Sequence, residues 1–210
     1  MKIIEPKAEL FDFVDTEATM KKLEACGRVS HQSQPREGSA DNFVRMLIKK
    51  GHESVLEHVS LTFHIICDRA IQNELVRHRH ASFTVESTRY VKYDELTFIE
   101  SDGIKKWEKP DGLNWETTHE YDIWCQGILH SEIYYKSLLD DNLPPEIARS
   151  VLPLCLKSEL YMTANLRSWR WILKLRTSKA AHPQMRQIMN QVLAVFKEKL
   201  PVIVEDIGNE

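Results

Sequence analysis

Glycine is scarce in this chain. There are seven glycines in 210 residues, and none falls in GxGxxG spacing. That excludes the ordinary dinucleotide fold, whose first turn needs closely spaced glycines to let backbone approach a pyrophosphate. The four cysteines, Cys26, Cys67, Cys125 and Cys155, are widely separated and form no CxxC pair. Neither a zinc site nor a disulfide frame is expected, and they read as buried thiols of a reducing compartment. No run approaches the roughly 18 apolar residues of a membrane helix. The start, Met1-Lys2-Ile3-Ile4-Glu5-Pro6, lacks the apolar core of a signal peptide, so a cytoplasmic location is expected. Net charge is only −3. An anionic ligand must therefore be held by a local cluster of cations rather than by the field of the whole chain.

Residues 1–210 carry no repeat, low-complexity tract or linker, and one domain is the expectation for this length. Helical spacing from Thr16 to about Cys26 predicts a helix that Gly27 can end. Ser39 is placed to cap a second helix, with Phe43, Leu47 and Ile48 apolar and Gly51 to stop it. Val59, Leu61, Phe63 and Ile65 alternate with Ser60, Thr62 and His64, the pattern of a half-buried strand. Asp68 then caps a helix through Ile71 and Leu75. Residues 84–101 read as β-rich and irregular, and Lys109-Pro110-Asp111-Gly112 as a turn. A long helix is predicted from Trp115 to Leu139, with Tyr121, Trp124, Ile128, Tyr135 and Leu138 along one side. Pro144-Pro145 restarts a helix through Ile147 and Val151. Two more helices are expected, Asn165 to Leu175 and Pro183 to Leu200, the last ended by Pro201. The class is α+β: a single helix-rich domain with few strands.

The densest cationic feature is Arg77-His78-Arg79-His80, with Arg89 twelve residues beyond Arg77. Paired arginine forks suit phosphate or pyrophosphate, because a guanidinium binds those oxygens bidentately. The same four residues also suit a solvated helix end, where cations complement the macrodipole. A nucleic-acid surface is not expected, since the cluster is short and the chain acidic overall. His52-Glu53-Ser54-Val55-Leu56-Glu57-His58 carries two histidines six apart, which fall on different faces of a helix, so no zinc pair is expected there. Trp107, Trp115, Trp124, Trp169 and Trp171 read as core or interface rather than cofactor stacking.

Arg77-His78-Arg79, seven residues, then Ser87 is similar to the RHRx7S signature of the flavin-dependent thymidylate synthases. Four further segments resemble that family in the same order. They are Arg28-Val29-Ser30, Gly51-His52-Glu53-Ser54 with Glu57-His58, Pro145 to Leu154, and Asn165-Leu166-Arg167-Ser168-Trp169 through Arg176 to Met185. Five collinear blocks over about residues 20–200 are far more specific than one short motif. The resemblance implies a single α+β domain with a small, mainly antiparallel sheet. It implies reductive methylation of dUMP to dTMP, with 5,10-methylene-tetrahydrofolate as carbon donor, reduced FAD as hydride donor and NADPH as reductant. It implies a homotetramer with shared active sites.

Carried onto this chain, it implies FAD contacts at Ser54, Arg77, His78, Arg79, Val85, Asn165, Arg167 and Trp171. It implies dUMP contacts at Glu74, Arg77, Val85, Glu86, Ser87, Thr88, Arg89, Arg149 and Arg176, with Arg176 the catalytic group that stabilises the ionised uracil. Four positions depart from the family: Glu74 stands where Gln is common, Thr84 for Asn or Ser, Val85 for Gln or Glu, and Trp171 for Asn or His. Valine can contribute only backbone or packing, and Glu74 would repel a phosphate unless an arginine screens it. No cysteine falls in a cationic block, so no thiolate nucleophile is expected. Two rival classes predict other observations: a non-catalytic nucleotide or RNA binder would be colourless, and a metal-dependent hydrolase would hold zinc.

Overall fold

The computed structural model describes residues 1–105 and 118–208. The turn expected at 109–112, the residues Trp107 and Trp115, and the expected start of the long helix lie outside them. The chain opens with β1 (Lys2–Ile4) and β2 (Lys7–Leu10). Helix α1 (Thr16–Arg28) starts where the Asp15 carboxylate accepts from Ala18 N at 2.9 Å. Gly27 does not end α1, as expected from sequence, but sits inside its last turn. A Cβ there would meet the Phe43 ring at 2.7 Å, so this glycine lets α2 (Ala40–Lys49) pack against α1. Ser39 does precede α2, but its hydroxyl donates to the Glu24 carboxylate and accepts from Arg36 N rather than capping. Gly51, at φ +74°, stops the helix: Gly51 N donates to Ile48 O and His52 N to Leu47 O. That is the Schellman pattern, which requires a left-handed residue.

A 3-10 segment (Glu53–His58) leads into β3 (Ser60–Asp68), the half-buried strand expected from its alternation. Asp68 caps α3 (Arg69–Leu75), accepting from Ile71 N at 2.7 Å. Of residues 84–101, read as β-rich, only the end of β4 (Ala81–Val85) and β5 (Thr97–Ile99) are strand, the loop between them being irregular; α4 (Asp102–Lys105) follows. Helix α5 (His119–Asp140) buries Ile128 and Tyr135. Then come α6 (Pro145–Ala148), a 3-10 turn (Arg149–Val151), β6 (Lys157–Asn165), α7 (Leu166–Arg176), α8 (Pro183–Lys199) and α9 (Pro201–Val204). Pro201 both ends α8 and opens α9, where its missing N–H costs nothing.

Strand β6 was not anticipated. It is central: the four-stranded antiparallel sheet runs β2-β3-β6-β4, while β1 and β5 form a separate parallel pair. Ser158, Leu160, Met162 and Ala164 point into the core along β6. The apolar face of the sheet is covered by α7 and α8. Trp169 lies edge-on to Phe63 at 5.0 Å between ring centres and donates to Leu61 O at 3.0 Å. Truncating so buried a tryptophan costs about 3–5 kcal/mol. A second cluster, around Leu96, Phe98, Ile128 and Tyr135, packs α5 beside the β1–β5 pair. Of the cysteines only Cys67 is buried. Cys26, Cys125 and Cys155 are half-buried, Cys155 packing against the second cluster. The result is an α+β domain with a small, mainly antiparallel sheet.

Candidate active site

The sheet positions two groups of side chains. Strand β6 ends at Asn165, whose carboxamide oxygen accepts from Ser168 N at 2.8 Å and so starts α7. The α7 N-terminus, the segment Arg77–His80 after α3, and the 3-10 segment Glu53–His58 enclose a cleft of about 780 Å³. Its walls are Glu53, Glu57, Arg77, His78, Arg79, His80, Asn165, Arg167, Ser168, Trp171 and Ile172. Six of the residues singled out from sequence meet here: Arg77, His78, Arg79, Asn165, Arg167 and Trp171. Ser54 follows Glu53 without lining the cleft, and Val85 packs against the core.

The charges in this cleft are unevenly spent. Glu57 accepts from Arg167 at 2.6 Å, and Glu53 pairs with Arg170 at 3.1 Å. Among the described residues Arg77 and Arg79 make no ion pair. Both cleft acids are thus neutralised by arginines while two guanidiniums stay free, so the cleft favours an anion. The dipole of α7, whose first turn lines the cleft, adds to the same preference. Trp171 is 66% exposed and presents a bare aromatic face at the mouth.

Arg176 closes α7. Its Nη1 donates to Glu74 at 3.1 Å and its Nε to His78 Nε2 at 3.1 Å. The acid that departs from the family pattern is therefore screened by an arginine. Burial first, then the neighbouring Arg176 charge, holds the His78 imidazole below its ordinary pKa.

The second group surrounds the loop after β4. Arg149 Nη1 donates to Thr88 Oγ1 at 3.0 Å, Arg89 N to Ser87 Oγ at 3.3 Å, and Arg89 Nε to Glu146 at 3.2 Å. The Glu86 carboxylate accepts from Tyr93 Oη at 3.0 Å and Lys157 Nζ at 3.1 Å. Lys157 also donates to Glu159, which meets His64 at 2.8 Å. Burial, then the charge of Glu86, raises the Tyr93 hydroxyl well above its usual range and keeps it a donor. The structure thus brings Glu86, Thr88 and Arg149 together, with Ser87 and Arg89 on the same turn.

Sequence reading missed two residues here. Arg170 is 2% exposed and bridges Glu53 to Asp206, yet three arginine-spaced positions on α7 gave no sign of which faced inward. Arg69 acts electrostatically on Tyr93, and its Nη1 is buried with no hydrogen-bond partner. A buried, unspent guanidinium nitrogen is costly unless something binds it. The only sequence signal was an arginine directly after a helix cap.

Known proteins match this sequence. Residues 12–202 match the family described as "Thymidylate synthase complementing protein". A probable flavin-dependent thymidylate synthase of Mycobacterium phage L5 is 32% identical over 191 residues, covering 87% of this chain and 76% of that one. The flavin-dependent thymidylate synthase of Kosmotoga olearia is 34% identical over 173 residues, 78% and 74% of the two chains. That of Corynebacterium aurimucosum is 29% identical over 194 residues, 88% and 78%. With nine-tenths of its length matched, the chain belongs to the thymidylate synthase complementing protein family.

Proposed function

We propose that this protein is a flavin-dependent thymidylate synthase that methylates dUMP to dTMP. The observation that carries the reading is the pair of free guanidiniums, Arg77 and Arg79, in a cleft whose own acids are already paired. The residues fit FAD: Arg77, Arg79 and the α7 N-terminus would hold its pyrophosphate without a glycine turn. Asn165 and Arg167 would add polar contacts, and Trp171 a stacking surface. When bound, reduced FAD supplies hydride, NADPH renews it, and 5,10-methylene-tetrahydrofolate supplies the carbon.

The chain's own residues do the rest. Ser87, Thr88, Arg89 and Arg149 would hold dUMP; the Glu86 backbone N–H is already given to Glu159 O at 2.8 Å, which ties this loop to β6. The orphan Nη1 of Arg69 beside Tyr93 suits the phosphate. Arg176 would lie against the uracil ring, where a guanidinium stabilises the N3 anion and drives electron density toward C5. On this reading no thiol attacks the ring. Burial raises Cys155 to about 11 and Cys67 higher still, so neither forms thiolate near neutral pH.

The working assembly on this reading is a homotetramer with shared sites. Phe13, Tyr90 and Trp171 are 95%, 78% and 66% exposed, and the last two lie in the two site groups. Apolar rings left bare at a site mouth are the surfaces a neighbouring subunit would cover. No helix of the described residues is long and apolar enough to cross a membrane.

The test is direct. The purified protein should be yellow, or become so with FAD, and should form dTMP only when dUMP, methylene-tetrahydrofolate and NADPH are all present. Replacing both Arg77 and Arg79 by alanine should release the flavin. A folded protein that takes up no FAD at micromolar concentration refutes the reading.

A further inference from the structure

Two side chains meet the Arg176 guanidinium on different nitrogens. Glu74, in the last turn of α3, accepts from Nη1, and His78, just beyond that helix, accepts from Nε. Arginine has no acceptor, so His78 Nε2 must be bare, and the imidazole is neutral with its hydrogen on Nδ1. One contact would leave the guanidinium free to swing about it. Two contacts on a rigid planar fork fix its plane. Both arms come from one short stretch of chain, α3 and the residues after it, so the plane is referred to the sheet edge rather than to α7 alone.

We propose that Glu74 and His78 clamp the plane of Arg176, that Glu74 is a positioning residue for it, and that the clamp holds only while His78 is neutral. The functional side of this inference rests on the role given above to Arg176. A proton on His78 would set two N–H donors against each other, Nε2–H against the arginine Nε–H, and that arm would open. The surroundings resist that proton. Burial comes first, then the charge of Arg176 from α7; Arg77, Arg79 and His80 of the same segment and Arg167 of α7 line the same cleft. Of the acids nearby, Glu74 is spent on Arg176, Glu57 on Arg167 and Glu53 on Arg170.

The test uses the full chain with isotope-labelled histidine, the His78 resonances being identified by their loss in His78→Gln. The clamp predicts the Nδ1–H tautomer and a midpoint below the ordinary 6.5. It predicts that Arg176→Met shifts that midpoint upward, because a neighbouring positive charge is removed. In turnover, Glu74→Leu should lower kcat at least about tenfold with a smaller change in KM. Glu74→Gln keeps an acceptor and should recover most of that loss, and kcat should show an acid limb at the His78 midpoint. An Nε2–H tautomer, a midpoint indifferent to Arg176→Met, or a Glu74→Gln variant as impaired as Glu74→Leu overturns the clamp. If the resonances behave as expected but Arg176→Met still turns over normally, the clamp stands and the assignment of Arg176 to the chemistry falls.

Discussion

Replacing Arg170 by methionine should cost the protein about 3 kcal/mol and, with it, grip on the cofactor. Arg170 is almost wholly buried, and methionine keeps most of the apolar stem while deleting the charge. Its Nη1 and Nη2 reach the two Asp206 oxygens at 2.7 and 2.9 Å, its Nε reaches Glu53 at 3.2 Å, and Nη1 also donates to Ile203 O. Breaking a buried ion pair by removing one partner costs about 3–5 kcal/mol. The low end applies here, because Asp206 and Glu53 are 43% and 26% exposed to water and Asp206 keeps Lys174 at 2.9 Å. For a chain of this size each kcal/mol moves Tm by about 2–4 °C, so a fall of roughly 6–12 °C is expected. Thermal unfolding of the flavin-stripped chain, followed by circular dichroism, measures it.

The deficit should also depend on acid. The Arg170 hydrogen bonds hold the Asp206 carboxyl well below its ordinary 3.8, so the pair's stabilisation is full above that pH and fades as pH falls below it. The two melting curves should therefore converge below pH 3.8, since the wild type alone has that contribution to lose. Glu53 lines the cleft, and without Arg170 its carboxylate would repel a pyrophosphate, so flavin affinity should fall as well. A well-folded Arg170→Met variant melting within about 2 °C of wild type would refute this reasoning.

Three further outcomes are expected. Arg176→Ala should keep FAD and lose at least about a hundredfold in kcat, with Arg176→Lys a poor substitute because a point charge cannot copy the planar fork. Near-normal kcat with only KM raised would reduce Arg176 to a binding contact. Replacing all four cysteines by alanine or serine should lower Tm through the cavity at Cys67, yet dTMP formation should persist, and abolished turnover in one folded single variant would restore a thiolate mechanism. Subunits of inactive Arg176→Ala and Arg89→Ala, mixed by mild denaturation and refolding, should regain activity if these arginines meet across subunits. Mixed oligomers verified by mass but inactive would confine the pair to one chain.

Local signals served well wherever a few neighbouring residues decide the outcome. The alternation from Val59 to Ile65, the Asp68 cap and the left-handed Gly51 all stand as read, because each depends on sterics or hydrogen bonds within one turn or strand. The arginine motif and its collinear companions pointed to the family for the same reason: residue type and spacing are properties of the chain. What sequence left hidden is non-local. The alternation of Ser158, Leu160, Met162 and Ala164 was present but weak, since serine and alanine carry little hydrophobic signal, and only pairing with β3 and β4 on both sides makes β6 the centre of the sheet. Gly27 looked like a stop and is a contact, because the ring that needs the space belongs to another helix. Likewise the chain shows which arginines it has, but not which of them acids have already claimed. Arg167, Arg170 and Arg176 are paired with Glu57, Glu53 and Glu74, residues about a hundred positions away, and only that tertiary pairing leaves Arg77 and Arg79 free for an anion.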